Sequence, residues 1–380
     1  MIHYLESLEV NAIDAVLADW KMVFPDGGIL ALLPEAEEAS VPALQAACSA
    51  SGLSLAGGIV PALIVDGEFR TDGAWLLGFG RMPPCALHED LPTDQGGAER
   101  LVDGIAEELR ESLREESEKT LFLLFDAMVP NVGTYLDHLY LRLANRVRYS
   151  GSNVGSETFL PRACLFDNER FVRNGLLIML LDNRFGANLE HGYRVSDRTV
   201  YATAAKGNRI DQIEWRPAFD VYKEMVRDRF GTEITAENFY RYAVHFPFGI
   251  LRANHHAVVR IPVSLSEDES LVCVGEIPEN SLLALLEAPA ADSEETVDRL
   301  EEGVLCGGAP ESDQLMFYCA GRRMHFGSGA AESEIRRYAD RFPSGRIAGA
   351  LSLGEIGGST IHGYPLFHNA CISSMIWDAE

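Results

Sequence analysis

Gly349-Ala350-Leu351-Ser352-Leu353-Gly354-Glu355-Ile356-Gly357-Gly358, followed after a short loop by Pro365-Leu366-Phe367-His368-Asn369-Ala370, organises the rest of the chain. An apolar run of strand type ends at a glycine turn that presents one carboxylate. A second run carries His368 and Asn369 just ahead of Cys371-Ile372-Ser373-Ser374-Met375-Ile376-Trp377. Paired as a hairpin, the two runs set Glu355, His368 and Asn369 near one rim. Polar groups converging beside glycines, which let a ligand approach the backbone, are what a small-molecule pocket needs. The same residues also suit an ordinary turn whose His and Asn satisfy local backbone groups.

Working outward, the order strand, helix, glycine-ended strand, strand recurs. It is formed by 315–319, 331–341, 347–353 and the closing strand to Trp377; by 121–125, 134–148, 149–157 and 175–181; and by 28–33, 41–50, 53–60 and 75–79. An amphipathic helix over 8–23 opens the chain. The segment 83–97 reads as loop, and 98–119 as a charged helix with Glu and Arg three and four apart. An acidic helical region over 276–302, after the apolar 271–274, reads as a degenerate fourth copy. Between the second and third copies the chain changes character. Strands are expected at 191–195 and 207–215, a helix from Arg216-Pro217 onward, a shorter helix over 236–244 and a strand over 257–262. Repeats of this length suit sheet-and-helix modules stacked in layers, not a solenoid. The expectation is an α+β fold of layered mixed sheets flanked by helices. With 380 residues the chain exceeds one ordinary domain, and two domains are expected, 1–215 and 216–380.

Composition narrows the function. A hydrophobic share of 47% is ample for buried cores, which argues against disorder. The formal net charge of -25, from 32 basic and 57 acidic residues, repels phosphate backbones and anionic bilayers, so neither nucleic acid nor membrane is an expected partner. The N-terminus lacks a basic, apolar, small-residue leader, and no window is long and apolar enough to span a bilayer, so a soluble cytoplasmic protein is expected. The seven cysteines are scattered and lack any Cys-x-x-Cys pair, which favours reduced thiols over disulfides or a zinc knuckle.

Several motifs together resemble one family. Gly151-Ser152-Asn153-Val154-Gly155-Ser156-Glu157 is similar to the signature of FIST N-terminal domains, with Ser152 and Glu157 replacing the usual small and Asp residues. Gly207-Asn208-Arg209-Ile210 with Arg216-Pro217-Ala218-Phe219-Asp220-Val221-Tyr222 resembles the connector to the FIST C-terminal domain. Phe246-Pro247-Phe248-Gly249, Val258-Val259-Arg260, Phe317-Tyr318-Cys319-Ala320-Gly321-Arg322, Gly354-Glu355-Ile356 and His368-Asn369 resemble motifs of that second domain. Ile261 stands where an Asp commonly follows the arginine. The resemblance covers nearly the whole chain in order. It implies a sensory module that binds a small ligand and signals through a partner protein. In some relatives it implies a haem-based nitric oxide sensor acting on a histidine kinase.

The residues offer three chemistries. An anionic ligand such as an amino acid wants a planar cation and an acceptor, and Arg322 and Glu355 supply them, with His368 and Asn369 nearby; the alternative is an Arg-Glu pair that merely ties two loops. Haem b wants an imidazole in an apolar cavity. His245, flanked by Val244 and Phe246-Pro247-Phe248, is the first candidate for the iron, and His191 before Gly192 is the second; a core histidine bonded to backbone is the plain alternative. His255 and His256 are adjacent, so in a strand they face opposite sides and cannot share one iron. A thiol or serine hydrolase needs a nucleophile with a base: Cys319 near His325, or Ser352, although Ala350-Leu351-Ser352-Leu353-Gly354 lacks the first glycine and the following helix of a nucleophile elbow. Phosphate-cradling glycine loops are lacking in usable form. The expectation is therefore a ligand-binding sensor and not an enzyme, with its site within or between the two halves.

Overall fold

The computed structural model describes residues 1–114, 118–182, 186–252, 256–307, 311–358 and 364–377. Its plan follows from strands too apolar to be left uncovered. Gly28–Pro34, Lys119–Asp126 and Gln314–Cys319 are buried along their whole length, the pattern of strands covered on both faces. Each pairs in parallel with a later strand of its own module, respectively Ser54–Val60, Val147–Val154 and Ile347–Ser352. A parallel pair requires a crossover. Here it is helical: Val41–Ser51, Val132–Leu143, and Ala320–Phe326 with Ser328–Ala339. A third strand, Ala74–Phe79, Leu176–Leu181 or Ile372–Ile376, lies antiparallel on the other side of the first. Short strands Ile2–Leu5, Cys85–His88 and Asn188–Glu190 pair with these at the edges.

After its second parallel strand each module extends a hairpin that joins a neighbour's sheet. Leu63–Val65 with Glu68–Arg70 completes the sheet of Ile347–Ser352. Leu165–Asp167 with Phe171–Val172 completes that of Ser54–Val60, and Glu355–Gly357 with Leu366–His368 completes that of Val147–Val154. The exchange is cyclic: first module to third, second to first, third to second. A glycine stands at each docking point: Gly57 opposite Phe166, Gly151 opposite Ile356, and Gly349 opposite Ile64. A Cβ on Gly57 would lie 2.3 Å from the Phe166 ring and 2.4 Å from the Ala31 carbonyl oxygen, and one on Gly349 would lie 2.8 Å from Ile64 Cβ. These glycines inside strands mark where another chain segment comes close.

The three sheets share one core. Phe122 stacks on Phe317 with centroids 6.3 Å apart, and Trp377 meets Phe79 at 5.4 Å and Phe122 at 6.3 Å, so every module contributes an aromatic ring. Between the edge strand Asn188–Glu190 and the helix Glu295–Gly307, the third module carries an inserted unit. It is an eight-stranded antiparallel sheet with helices Ala218–Phe230 and Phe239–Ala243 and its own core. A small apolar cluster including Val244, Val259, Ile261 and Ala370 joins the insert to the body.

The layered α+β architecture and the threefold recurrence match the expectation. Three of the four sheets contain strands from both sides of residue 215, so a division there separates the chain in sequence and not in sheets. The fourth copy does not exist: the expected helical region over 276–302 holds the strand Leu282–Glu287, which lies between Phe248–Leu251 and Arg194–Lys206, and then the helix Glu295–Gly307 of the third module. The expected loop over 83–97 contains the edge strand Cys85–His88 and the start of the helix Gln95–Glu108, capped by the Asp94 side chain. That helix ends well before Lys119, which opens a strand; residues 115–117 of the expected helix lie outside the described residues. The helix expected to reach Arg148 stops at Leu143, because Val147 and Arg148 pair with Lys119 and Thr120. In each case a strand partner distant in sequence outweighs local propensity.

Gly57→Val forces a side chain against the Phe166 ring and the Ala31 carbonyl. It should lower the unfolding free energy by about 1–3 kcal/mol or more in a urea titration, the usual cost of overfilling a packed interior. An unchanged midpoint would show that the exchanged hairpin is not held at this point.

Candidate functional site

The closing hairpin forms as expected, with Glu355 directly opposite His368, although residues 359–363 of its loop lie outside the described residues. Both side chains are buried. The Glu355 carboxyl accepts from the Ser352 hydroxyl at 2.5 Å and from the Cys371 backbone N–H at 3.3 Å. The Cys319 thiol reaches the same carboxyl, and burial, the dominant cause, pushes its pKa up to about 8. Glu355 therefore carries a proton at neutral pH. Cys319 takes a hydrogen bond from the Ala370 N–H at 3.0 Å, and burial raises its pKa far above that of an ordinary thiol. Ser352 is fully buried in a strand with Glu355 as its partner. The His325 ring pairs with His245, so the expected Cys319–His325 thiolate pair has no counterpart in this arrangement.

Arg322 is 0% exposed and is held by the protein alone. Nε and Nη2 form a bidentate pair with Glu334 at 2.8 and 2.7 Å; Nη1 donates to the carbonyls of His191 at 2.7 Å and Ala370 at 3.2 Å, and Nη2 also reaches the Thr296 hydroxyl at 3.4 Å. Tyr318 donates to the same Glu334 carboxylate at 2.8 Å. All five guanidinium N–H donors are engaged, so none is left for a ligand carboxylate, and Glu355 is not the partner. Glu334 was missed in the sequence. It lies on the face that Ala331, Ile335 and Tyr338 bury, and a carboxylate at apolar helical spacing is the signal that would have found it.

A recess opens where the insert meets the body. The insert lines it with Tyr240, Val244, Ile261, Pro262, Val263 and Val274; the body lines it with Glu157, Phe159, Cys319, Ala320, Gly321, Met324, Leu353 and Asn369. Among the expected ligand residues, Asn369 alone lines it. Its Oδ1 accepts from the Ile261 N–H at 3.2 Å and its Nδ2 donates to the His368 carbonyl at 3.1 Å, which ties the insert to the closing hairpin. At the mouth both Glu157 oxygens lie 2.6 Å from Arg323 Nη2, so the acidic group is already matched. Apart from Tyr240 and Cys319, the remaining walls are apolar.

Haem would need an imidazole projecting into such a cavity. Among the described residues no histidine lines the recess. His245 Nδ1 lies 3.0 Å from His325 Nδ1, and burial lowers the pKa of both rings, that of His325 to about 4. His191 Nδ1 accepts from the Tyr193 N–H at 2.9 Å, and burial holds its pKa at about 4. His255 lies outside the described residues, and His256 is exposed. Among the described residues no three His, Cys, Asp or Glu side chains cluster as metal ligands. These residues do not fit a haem group. Among the described residues no helix is long and apolar enough to cross a membrane.

The fold and the recess together define a layered α+β protein of three interlocked modules and an insert, with a cavity at their junction. The family model for the FIST N domain matches residues 29–216, and that for the FIST C domain matches residues 218–358. The chain belongs to the FIST family, whose domains are associated with signal transduction and small-ligand sensing. No curated protein matches it.

The buried proton on Glu355 has a consequence for stability. The folded protein holds that proton until about pH 8, whereas the unfolded chain releases it near the ordinary glutamate value of about 4. Over this range the native state binds the additional proton, so this group's contribution to stability falls as pH rises from about 4 to about 8 and is flat above that. Glu355→Gln, which is neutral throughout, should remove this fall and leave the variant more stable relative to wild type at pH 9 than at pH 5. Parallel pH profiles of denaturation for the two proteins would show Glu355 ionised at neutral pH instead.

Proposed function

We propose that the protein is a small-ligand sensor whose ligand enters the recess between insert and body, and that occupancy changes how the insert is seated. The observation that carries this reading is the recess itself: its walls come from both parts, so a ligand touching both binds one relative arrangement more tightly than another. Differential affinity of that kind is the requirement for a ligand-driven shift in populations. The lining favours one class of ligand. Arg322 is committed to Glu334 and Glu157 is committed to Arg323, so the recess favours an uncharged, largely apolar molecule over a free amino acid. The hydrogen-bonding groups it would meet are the Asn369 amide, the Tyr240 hydroxyl and the Cys319 thiol, with the protonated Glu355 carboxyl directly behind the thiol. The signal passes to a partner protein, for which the family suggests a histidine kinase.

The test is a thermal-shift screen of uncharged metabolites against wild type and Met324→Trp, together with native mass spectrometry and an absorbance spectrum of freshly purified protein. Met324 is 40% exposed at the recess, so the substitution fills space without disturbing a core. Binding should weaken at least tenfold in Met324→Trp while the circular dichroism stays unchanged. Ligands that stabilise both proteins equally, or a Soret band in the purified protein, would overturn the reading.

A further inference from the structure

Among the described residues two arginines are buried, and they are treated differently. Arg322 faces the carboxylate of Glu334. Arg260, 5% exposed, donates Nε to the Glu276 carbonyl at 2.9 Å and Nη1 to the carbonyls of Val259 at 3.0 Å and Phe367 at 2.7 Å, with the Phe367 ring stacked 5.5 Å away. Among the described residues its hydrogen bonds go to neutral carbonyls and no carboxylate forms an ion pair with it, the Glu276 carboxylate acting on it only from a distance. The Glu276 carboxylate belongs instead to the Thr134 N–H and hydroxyl, at 2.8 and 2.6 Å. A buried charge without a counter-charge is costly. In a chain with 57 acidic residues, a carboxylate partner would have been easy to supply.

The residue after Phe367 makes the gap more specific. His368 is 4% exposed, and neither of its ring nitrogens has a hydrogen-bond partner. A buried imidazole in that state lacks both an acceptor for its N–H and a donor for its lone pair. The His191 ring lies 6.3 Å away, centroid to centroid. Besides desolvation, the groups that act most strongly on His368 are basic: His191, Arg260, Arg252 and His256. The polar, positive and incompletely bonded surroundings therefore all call for the same thing, an acceptor carrying negative charge.

We propose that Arg260 and His368, between the strands Ala257–Arg260 and Leu366–His368 and with the His191 ring alongside, form a binding site for a small oxyanion, a carboxylate or a phosphate. The anion would accept from the His368 N–H and neutralise Arg260 at the junction of the insert and the closing hairpin. This proposal does not depend on the recess, since none of the three residues lines it.

The test titrates the full chain with sodium phosphate, sulfate and acetate at constant ionic strength, chloride being the control, and follows thermal shift and calorimetric heat. Wild type should respond saturably to at least one oxyanion, and the responding species tells a phosphate from a carboxylate ligand. His368→Leu removes an unpartnered polar group and should fold, yet its dissociation constant should rise at least tenfold; Arg260→Met should lose the response altogether. If Arg260→Met does not fold, His368→Leu decides alone. A wild type that responds to none of the three anions, or a His368→Leu variant that responds as wild type does, would overturn the proposal and leave only a bound water at the site. Recess binding, read with Met324→Trp, is unaffected by either result.

Discussion

The structure depends on a cyclic exchange of hairpins. Each module places two parallel strands beside each other and then needs an antiparallel partner for the outer edge of the second, because an uncovered edge of buried, apolar strands is an aggregation surface. No module supplies its own. Ser54–Val60 is covered by the second module, Val147–Val154 by the third, and Ile347–Ser352 by the first. Removing any one module would expose an edge in another. The chain's two family domains are therefore parts of one hydrogen-bonded body, with the insert as its appended layer.

This arrangement also explains where the recess and its polar residues lie. The hairpin that the third module sends into the second carries Glu355 on one strand and His368 on the other, with Asn369 directly after. The insert leaves the same module at its edge strand and returns beside that hairpin, so Ile261 can donate its N–H to Asn369. The junction that binds the insert and the crossing point that closes the body are one place. Arg260 apart, charge there is managed by pairing or by protonation: Arg322 is matched by Glu334, Arg323 by Glu157, and Glu355 keeps its proton.

Much of this was legible in the sequence, for reasons that can be named. The apolar runs 28–33, 121–125 and 315–319 are continuous because both faces are covered, and Gly57, Gly151 and Gly349 recur because a foreign hairpin docks on each. Which sheet each hairpin enters was not legible, since periodicity records that a strand is buried and not against what. The strand Leu282–Glu287 was hidden in an acidic, helix-prone region because its pairing partners lie about eighty and thirty residues upstream, beyond any local window. At the site, Glu355, His368 and Asn369 were found from glycines beside polar residues. Arg322 was found too, but its role was not, because the sequence does not say that Glu334, on the buried face of a helix twelve residues on, would take up both its Nε and Nη2.

The central claim is that the three modules form one cooperative unit closed by exchange. Native-state hydrogen exchange across a denaturant series tests it directly. The amides of Ser54–Val60, Val147–Val154 and Ile347–Ser352 should open at one common free energy, equal to that of global unfolding. Opening of one of these strands at a markedly lower free energy than the other two would contradict the account, since it would show a module whose edge does not need its neighbour.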